Sequence, residues 1–263
     1  YSRECWWSGC QPYSWAQRGC FPANDWEQVK SENCGSGDKY YCCRRGSGGG
    51  GNNGGGNGGG GNSGNRFINF DEFVRAVTVH GYPGPGHDKY NALTSQAHSA
   101  GGISSKQELA MFLTQILHES GGLVHKKEIA CRQTGCPGVY DSSVGAPGRN
   151  YYGRGYIQLS HSYNYKAASQ DLFGDLRLIE NPDLVSDDEN VAWATALWYW
   201  RTRVRNQPNV LNFWFGATTN AINGALECRG AFQHLARKRF DMYRKVLQAF
   251  SIHANPIERG CYN

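Results

Sequence analysis

The sequence predicts a mainly α-helical protein carrying a small disulfide-rich domain at its N-terminal side, and three observations lead there. Six of the ten cysteines fall within the first 43 residues. Residues 46–65, "GSGGGGNNGGGNGGGGNSGN", hold no apolar side chain to bury and read as a flexible linker. Beyond them, residues 66–263 place apolar side chains at helical spacing behind capping residues. They lack the strand–helix alternation that a Rossmann fold or TIM barrel would need.

Residues 1–45 are too few for a self-sufficient core, so their six cysteines, Cys5, Cys10, Cys20, Cys34, Cys42 and Cys43, are expected to form three disulfides. Fifteen connectivities satisfy that count. The spacing loosely resembles β-defensin-like scaffolds in its cysteine pattern alone. The segment is also dense in aromatic residues, among them Trp6, Trp7, Trp15 and Trp26. Exposed flat rings are a platform for stacking sugars, which makes this a candidate carbohydrate-binding domain. Rings packed over disulfides as a substitute core are the alternative. Six Lys/Arg against five Asp/Glu argue against a membrane-attacking segment.

In residues 66–263, "NFDEFVRAVTVHG" places Phe70, Phe73 and Val77 on one face behind an Asn69 cap, with Gly81 at the far end. "SSKQELAMFLTQILHES" opens with a Ser105–Glu108 capping box and repeats Leu109, Phe112, Leu113, Ile116 and Leu117 at helical spacing. Ser186 and Glu189 give a second such box before "NVAWATALWYWRTRV", a buried helix with Trp193, Leu197, Trp200 and Val204 in a stripe. The final helix, "AFQHLARKRFDMYRKVLQAF", buries Ala236, Phe240, Tyr243, Leu247 and Phe250 and presents Arg237, Lys238 and Arg239 on its flanks.

His118 and Glu119 end the second of these helices. A zinc-protease helix would need a second histidine at position 122, which is Gly122, so no metal site is expected. Gly121 and Gly122 stop the helix. Glu119 then lies in the last turn, where the helix dipole favours the proton-bearing carboxyl that a general acid requires. Glu128, nine residues on and beyond the glycine break, is a second carboxylate able to face the first across a cleft. A solvated Glu128 paired with Lys126 or Lys127 is the plain alternative. Residues 150–165, "NYYGRGYIQLSHSYNY", are rich in donors, acceptors and rings suited to sugar hydroxyls, and they also suit a tight turn into a helix carrying Tyr163 and Tyr165.

Composition limits the remaining classes. Net charge is +5 with no basic run longer than Arg44–Arg45, too little for a nucleic-acid groove. No stretch approaches the roughly 20 apolar residues of a membrane span, and Tyr1 does not begin a leader, so a mature chain is expected. The cysteine usage points to secretion.

"HESGG", "NYYGRGYIQLSHSYNY", "NPDLV", "ALWYW" and "AINGALEC" together resemble, in order and over nearly all of residues 66–263, the glycoside hydrolase family 19 chitinases. The resemblance implies a lysozyme-like fold of two lobes around a cleft and inverting hydrolysis of β-1,4-linked N-acetylglucosamine polymers. It assigns Glu119 as general acid, Glu128 as general base and Ser160 as a holder of the attacking water. Gln158, Tyr163, Asn164, Asn223, Glu227, Arg239 and Tyr152 become substrate-binding residues, and Glu227–Arg239 an ion pair that tunes the acid or base, with Arg237 an alternative partner. It also implies disulfides Cys131–Cys136 and Cys228–Cys261, where three pairings are open from sequence. Chitin is the expected partner of a monomeric chain that needs no cofactor. Three departures stand out: Ser120 and Gly121 replace two threonines of plant members, Tyr156 replaces a proline, and the stretch between the acids is short. A binding-only protein and a lysozyme-type peptidoglycan hydrolase are the alternative functions.

Overall fold

In a computed structural model the chain is described over residues 5–7, 11–12, 19–20, 26–35, 37–44 and 67–263, with backbone alone at 5–7, 11–12, 26 and 44. It divides into two units, Tyr1–Arg66 and Phe67–Asn263. The predicted linker and Trp15 lie outside the described residues, as do the side chains of Trp6, Trp7 and Trp26.

The N-terminal unit is built on a sheet of four antiparallel strands, β1 (Cys5–Trp7), β2 (Gln11–Pro12), β3 (Trp26–Asn33) and β4 (Gly37–Arg44). Strand β4 is central, with β3 on one edge and β1 and β2 on the other. A register shift between Gln28 and Lys30 bulges β3. Cys20 is bonded to Cys42, and with Tyr40 they form a small buried cluster. Tyr40 is therefore one of the rings that serve as core. Cys34 and Cys43 are also disulfide-bonded.

The second unit is helical. Its main elements are α1 (Phe70–Thr78), α2 (His87–Gln96), α3 (Lys106–Glu119), α4 (Ser162–Phe173), the short α5 (Arg177–Glu180) and α6 (Leu184–Asp187), α7 (Glu189–Tyr199), α8 (Phe215–Glu227) and α9 (Gln233–Ala249). Helix α3 is buried without a break from Glu108 to Leu117, so it runs through the core rather than over it. It packs on α8 and α9, while α2 packs on α7. Helix α7, buried from Ala192 to Trp198, continues into a π-helical turn, Trp200–Val204.

Caps refine the sequence reading. Asn69 forms a complete capping box with Glu72. Ser105 accepts from the Glu108 amide, but the return arm goes to Ser104, whose N–H and hydroxyl donate to Glu108 Oε2. The expected Ser186–Glu189 box is replaced: Ser186 lies in α6, and Asp188 caps α7 through the amides of Asn190 and Val191. Glu189 instead accepts from Tyr156 and pairs with Lys126 at 3.0 Å and Lys89 at 3.3 Å. Along α9, Ala236, Tyr243, Leu247 and the capping Phe250 are buried, and Phe240 partly so. Arg239 is not on the flank: it is 1% exposed.

Candidate active site

Helix α3 stops where the glycines allow it. Gly121 and Gly122 take φ of 58° and 77°, and the Gly122 amide folds back on the Leu117 carbonyl at 2.8 Å. Glu119 is thereby the last helical residue. It opens on a pocket of about 320 Å³ lined by Ile157, Gln158, Leu159, Ser160, His161, Asn164, Tyr199, Ile222 and Asn223.

One wall is the segment 150–160, whose tyrosines and arginine are scaffold rather than ligand surface. Arg154 is buried, lies 3.7 Å over the Tyr152 ring, and donates to Asp183, to the Asn150 carbonyl and to the Tyr165 hydroxyl. Tyr151 donates to the Ile179 carbonyl, and Tyr156 is buried against Trp193. With these side chains turned inward, Gln158, Ser160, His161 and Asn164 are left to face the pocket. Gln158 and His161 hold left-handed φ of 57° and 70°, so the backbone at the pocket wall is strained. Ser160 Oγ donates to the Gln158 carbonyl at 2.9 Å, and the Asn164 amide donates to the Ser160 carbonyl at 3.0 Å.

The opposite wall comes from α7 and α8. Asn223 interrupts α8 with φ −143° and ψ 35°, and its amide donates to Glu227 Oε1 at 2.8 Å. Glu227 and Arg239, both 1% exposed, sit behind that wall in a bidentate pair of 2.7 and 2.6 Å. Burial pushes the Glu227 carboxyl up, but the Arg239 bonds and charge, with Asn223, hold it below the ordinary value. Arg239 Nη1 also lies 2.5 Å from Glu119 Oε1. Arg237 is exposed against the Tyr262 ring and takes no part.

Glu128 is anchored on the loop that pairs with the segment carrying Gly153. Backbone bonds join residues 126–128 to 153–155, among them Glu128 N–H to the Gly153 carbonyl at 2.9 Å. The carboxylate accepts from the Tyr140 hydroxyl at 2.9 and 2.8 Å and from the Gly153 amide at 3.1 Å. Neither neighbouring lysine pairs with it: Lys126 goes to Glu189, and Lys127 to Asp183 and Asp187. Burial, then the Glu128 carboxylate, pushes the Tyr140 phenol up to about 12, so it remains a donor. The Cys131–Cys136 bond closes the loop beyond Glu128, and Cys228–Cys261 ties the end of α8 to the chain terminus.

Of the expected site residues, the structure brings the catalytic candidates Glu119 and Ser160 and the substrate-binding candidates Gln158, Asn164 and Asn223 to one pocket. Glu227 and Arg239 support it from behind. Tyr152 is buried under Arg154, and Tyr163 is 50% exposed with its ring stacked on His161 at 5.3 Å. Sequence reasoning missed Tyr199, Ile157, Ile222 and Tyr140, whose apolar or loop positions carry no pattern of their own. Among the described residues no group of three or more His, Cys, Asp or Glu is placed to hold a metal ion. No helix there is long and apolar enough to cross a membrane.

A carboxyl at a helix end, facing an amide-lined pocket, is an arrangement that suits the acid chemistry of a glycoside hydrolase. Residues 63–214, more than half the chain, match the glycoside hydrolase family 19 profile described as chitinase class I. Acidic endochitinase SP2 of Beta vulgaris is 45% identical over 107 residues, covering 41% of this chain and 35% of that protein. Endochitinase B of Nicotiana tabacum is 31% identical over 220 residues, covering 70% and 67%. Chitinase C from Streptomyces griseus HUT6037 superposes with a TM-score of 0.58 at 32% identity, over 74% of this chain and 98% of that one. The chain belongs to glycoside hydrolase family 19. It spans between 35% and 67% of the length of the two curated plant relatives.

Proposed function

We propose that the protein is a secreted endochitinase that cleaves β-1,4-linked N-acetylglucosamine polymers by single displacement with inversion. The observation that carries this reading is Glu119 at the broken end of α3, opening on a pocket of amide and hydroxyl side chains with Arg239 behind it. In this mechanism Glu119 donates a proton to the leaving glycosidic oxygen. Glu128, oriented by Tyr140 and Gly153, takes a proton from water on the opposite face of the sugar, and Ser160 helps hold that water. Gln158, Asn164 and Asn223 bind sugar hydroxyl and acetamido groups, Ile157 and Ile222 give the ring an apolar wall, and Tyr163 offers an exposed ring for a neighbouring unit. The Glu227–Arg239 pair fixes a cation beside the acid. The N-terminal domain holds the insoluble polymer.

Glu119→Gln keeps the shape and removes the transferable proton. Turnover of a chitin hexamer should fall at least about a hundredfold, the scale of general acid catalysis, with oligosaccharide affinity little changed. Near-normal turnover would refute the assignment. Product anomers read by NMR from the same hexamer test the stereochemistry, where α-anomer at the new reducing end is the expected outcome. Parallel assays on bacterial cell walls separate a lysozyme-type activity.

A further inference from the structure

Gln115 lies one helical turn before Glu119, is fully buried, and falls outside the motifs that carry the family resemblance. Its amide is held in one orientation. Thr218 Oγ1 donates its hydrogen to the Phe215 carbonyl at 2.7 Å, so its oxygen accepts from Gln115 Nε2 at 2.8 Å. Thr219 Oγ1 accepts from the same nitrogen at 3.0 Å. With both amide hydrogens committed to α8, Oε1 must face α9, where it accepts from Arg239 Nη1 at 2.8 Å. A flipped amide would set donor against donor.

That same Nη1 lies 2.5 Å from Glu119 Oε1, yet the Glu119 oxygen is buried without an aligned hydrogen-bond partner among the described residues. One Nη1 hydrogen goes to Gln115, and with Nε and Nη2 held by Glu227 the guanidinium plane is fixed so that the second Nη1 hydrogen meets Glu119 Oε1 at short range but out of line. We infer that Gln115 is a positioning residue: its carbonyl restrains Arg239 from forming an aligned hydrogen bond to Glu119, and so keeps that carboxyl able to carry and release a proton. The inference rests on Glu119 being the general acid. The other titratable groups around Glu119 are Glu227 on α8, Tyr199 at the end of α7, His161 before α4 and His118 on its own helix. None of them hydrogen-bonds to Gln115.

The test uses the full chain with Gln115→Met, which keeps the volume and removes the acceptor, and Gln115→Glu, which gives Arg239 an anion to hold. The readout is the carbon-13 titration of the Glu119 carboxyl, assigned by its loss in Glu119→Gln. The midpoint should fall by about one pH unit in Gln115→Met and rise by a similar amount in Gln115→Glu, the scale of one charge-assisted hydrogen bond gained or lost. In the pH–rate profile the alkaline limb should move the same way in each variant. A merely structural role would lower thermal stability and leave the Gln115→Met midpoint and alkaline limb in place, and that result overturns the inference. If Gln115→Met does not fold, Gln115→Asn, whose shorter side chain withdraws the carbonyl from Arg239, should move the midpoint in the same direction; an unmoved midpoint there also overturns it. Shifted midpoints with an active Glu119→Gln enzyme would instead leave Gln115 its positioning role and refute Glu119 as the acid.

Discussion

His118 shows how far one buried cation reaches. Burial first, then the Arg239 and Lys238 charges, push its imidazole down to about 4 against the opposing pull of Glu227. The unfolded chain binds that proton near the ordinary value of about 6.5, so between roughly pH 6.5 and 4 unfolding takes up a proton that the native state refuses. Its contribution to stability is complete above that window and is lost as pH falls through it. His118→Gln should flatten the dependence of the urea midpoint on pH in this range; an unchanged slope would show that His118 is protonated in the native state. Arg239 was partly legible. The family resemblance pairs it with Glu227, while on the helical pattern alone it stands at an inward spacing between Ala236 and Tyr243 yet, with Arg237 and Lys238 beside it, reads as part of a charged flank. Gln115 was harder still, since a buried amide interrupts the apolar pattern of α3 without revealing what it bonds to.

Among the elements, α3 and the π-helical turn after α7 are locked together by a carboxylate that the helix-start motif only half explains. Glu108, 1% exposed, accepts from Trp200 Nε1 at 3.1 Å and Arg205 Nε at 2.7 Å in addition to Ser104. Glu108→Ala should cost about 3–5 kcal/mol because it strands a partly buried guanidinium and an indole N–H, measurable as a drop in the denaturant midpoint. Gly122 marks another junction: a Cβ there would meet the Tyr82 ring at 2.1 Å, in a backbone conformation of φ 77°. Gly122→Ala is expected to destabilise by about 2 kcal/mol or more and to displace Tyr82 from the end of α3. The strongly periodic helices α1, α3, α7 and α9 were readable from sequence because an apolar stripe records burial. Helix boundaries were less so. Asp188 outcompetes Ser186 as a cap because its carboxylate meets two free amides, while Glu189 is drawn off by Tyr156 and two lysines. The β3–β4 pair escaped notice because "WEQVKSEN" is almost wholly polar, and cross-strand bonds leave no mark in a single strand.

For the whole molecule, the sequence separates two units of different physical character, and the structure divides at Arg66 and Phe67. A chain starting at residue 66 should hydrolyse soluble hexamer at the full-length rate and lose most of its action on insoluble chitin. Equal loss on both substrates would mean that the first 45 residues support folding rather than polymer capture. The mainly helical class was legible because apolar stripes record burial, and the family because its short glycine- and tyrosine-rich motifs are specific. Pocket residues such as Tyr199 and Ile222 were not, because their role depends on which elements meet. The left-handed backbone at Gln158 and His161 sets stability and activity against each other. Each non-glycine residue held there costs on the order of 1–3 kcal/mol, tolerated only because Arg154 and the buried tyrosines over-determine the turn. Selection for thermal robustness alone would favour Gln158→Gly, a change that relieves strain while deleting an amide from the pocket. Variants evolved for heat tolerance without substrate in the screen should accumulate glycine at this turn and lose turnover as they gain melting temperature.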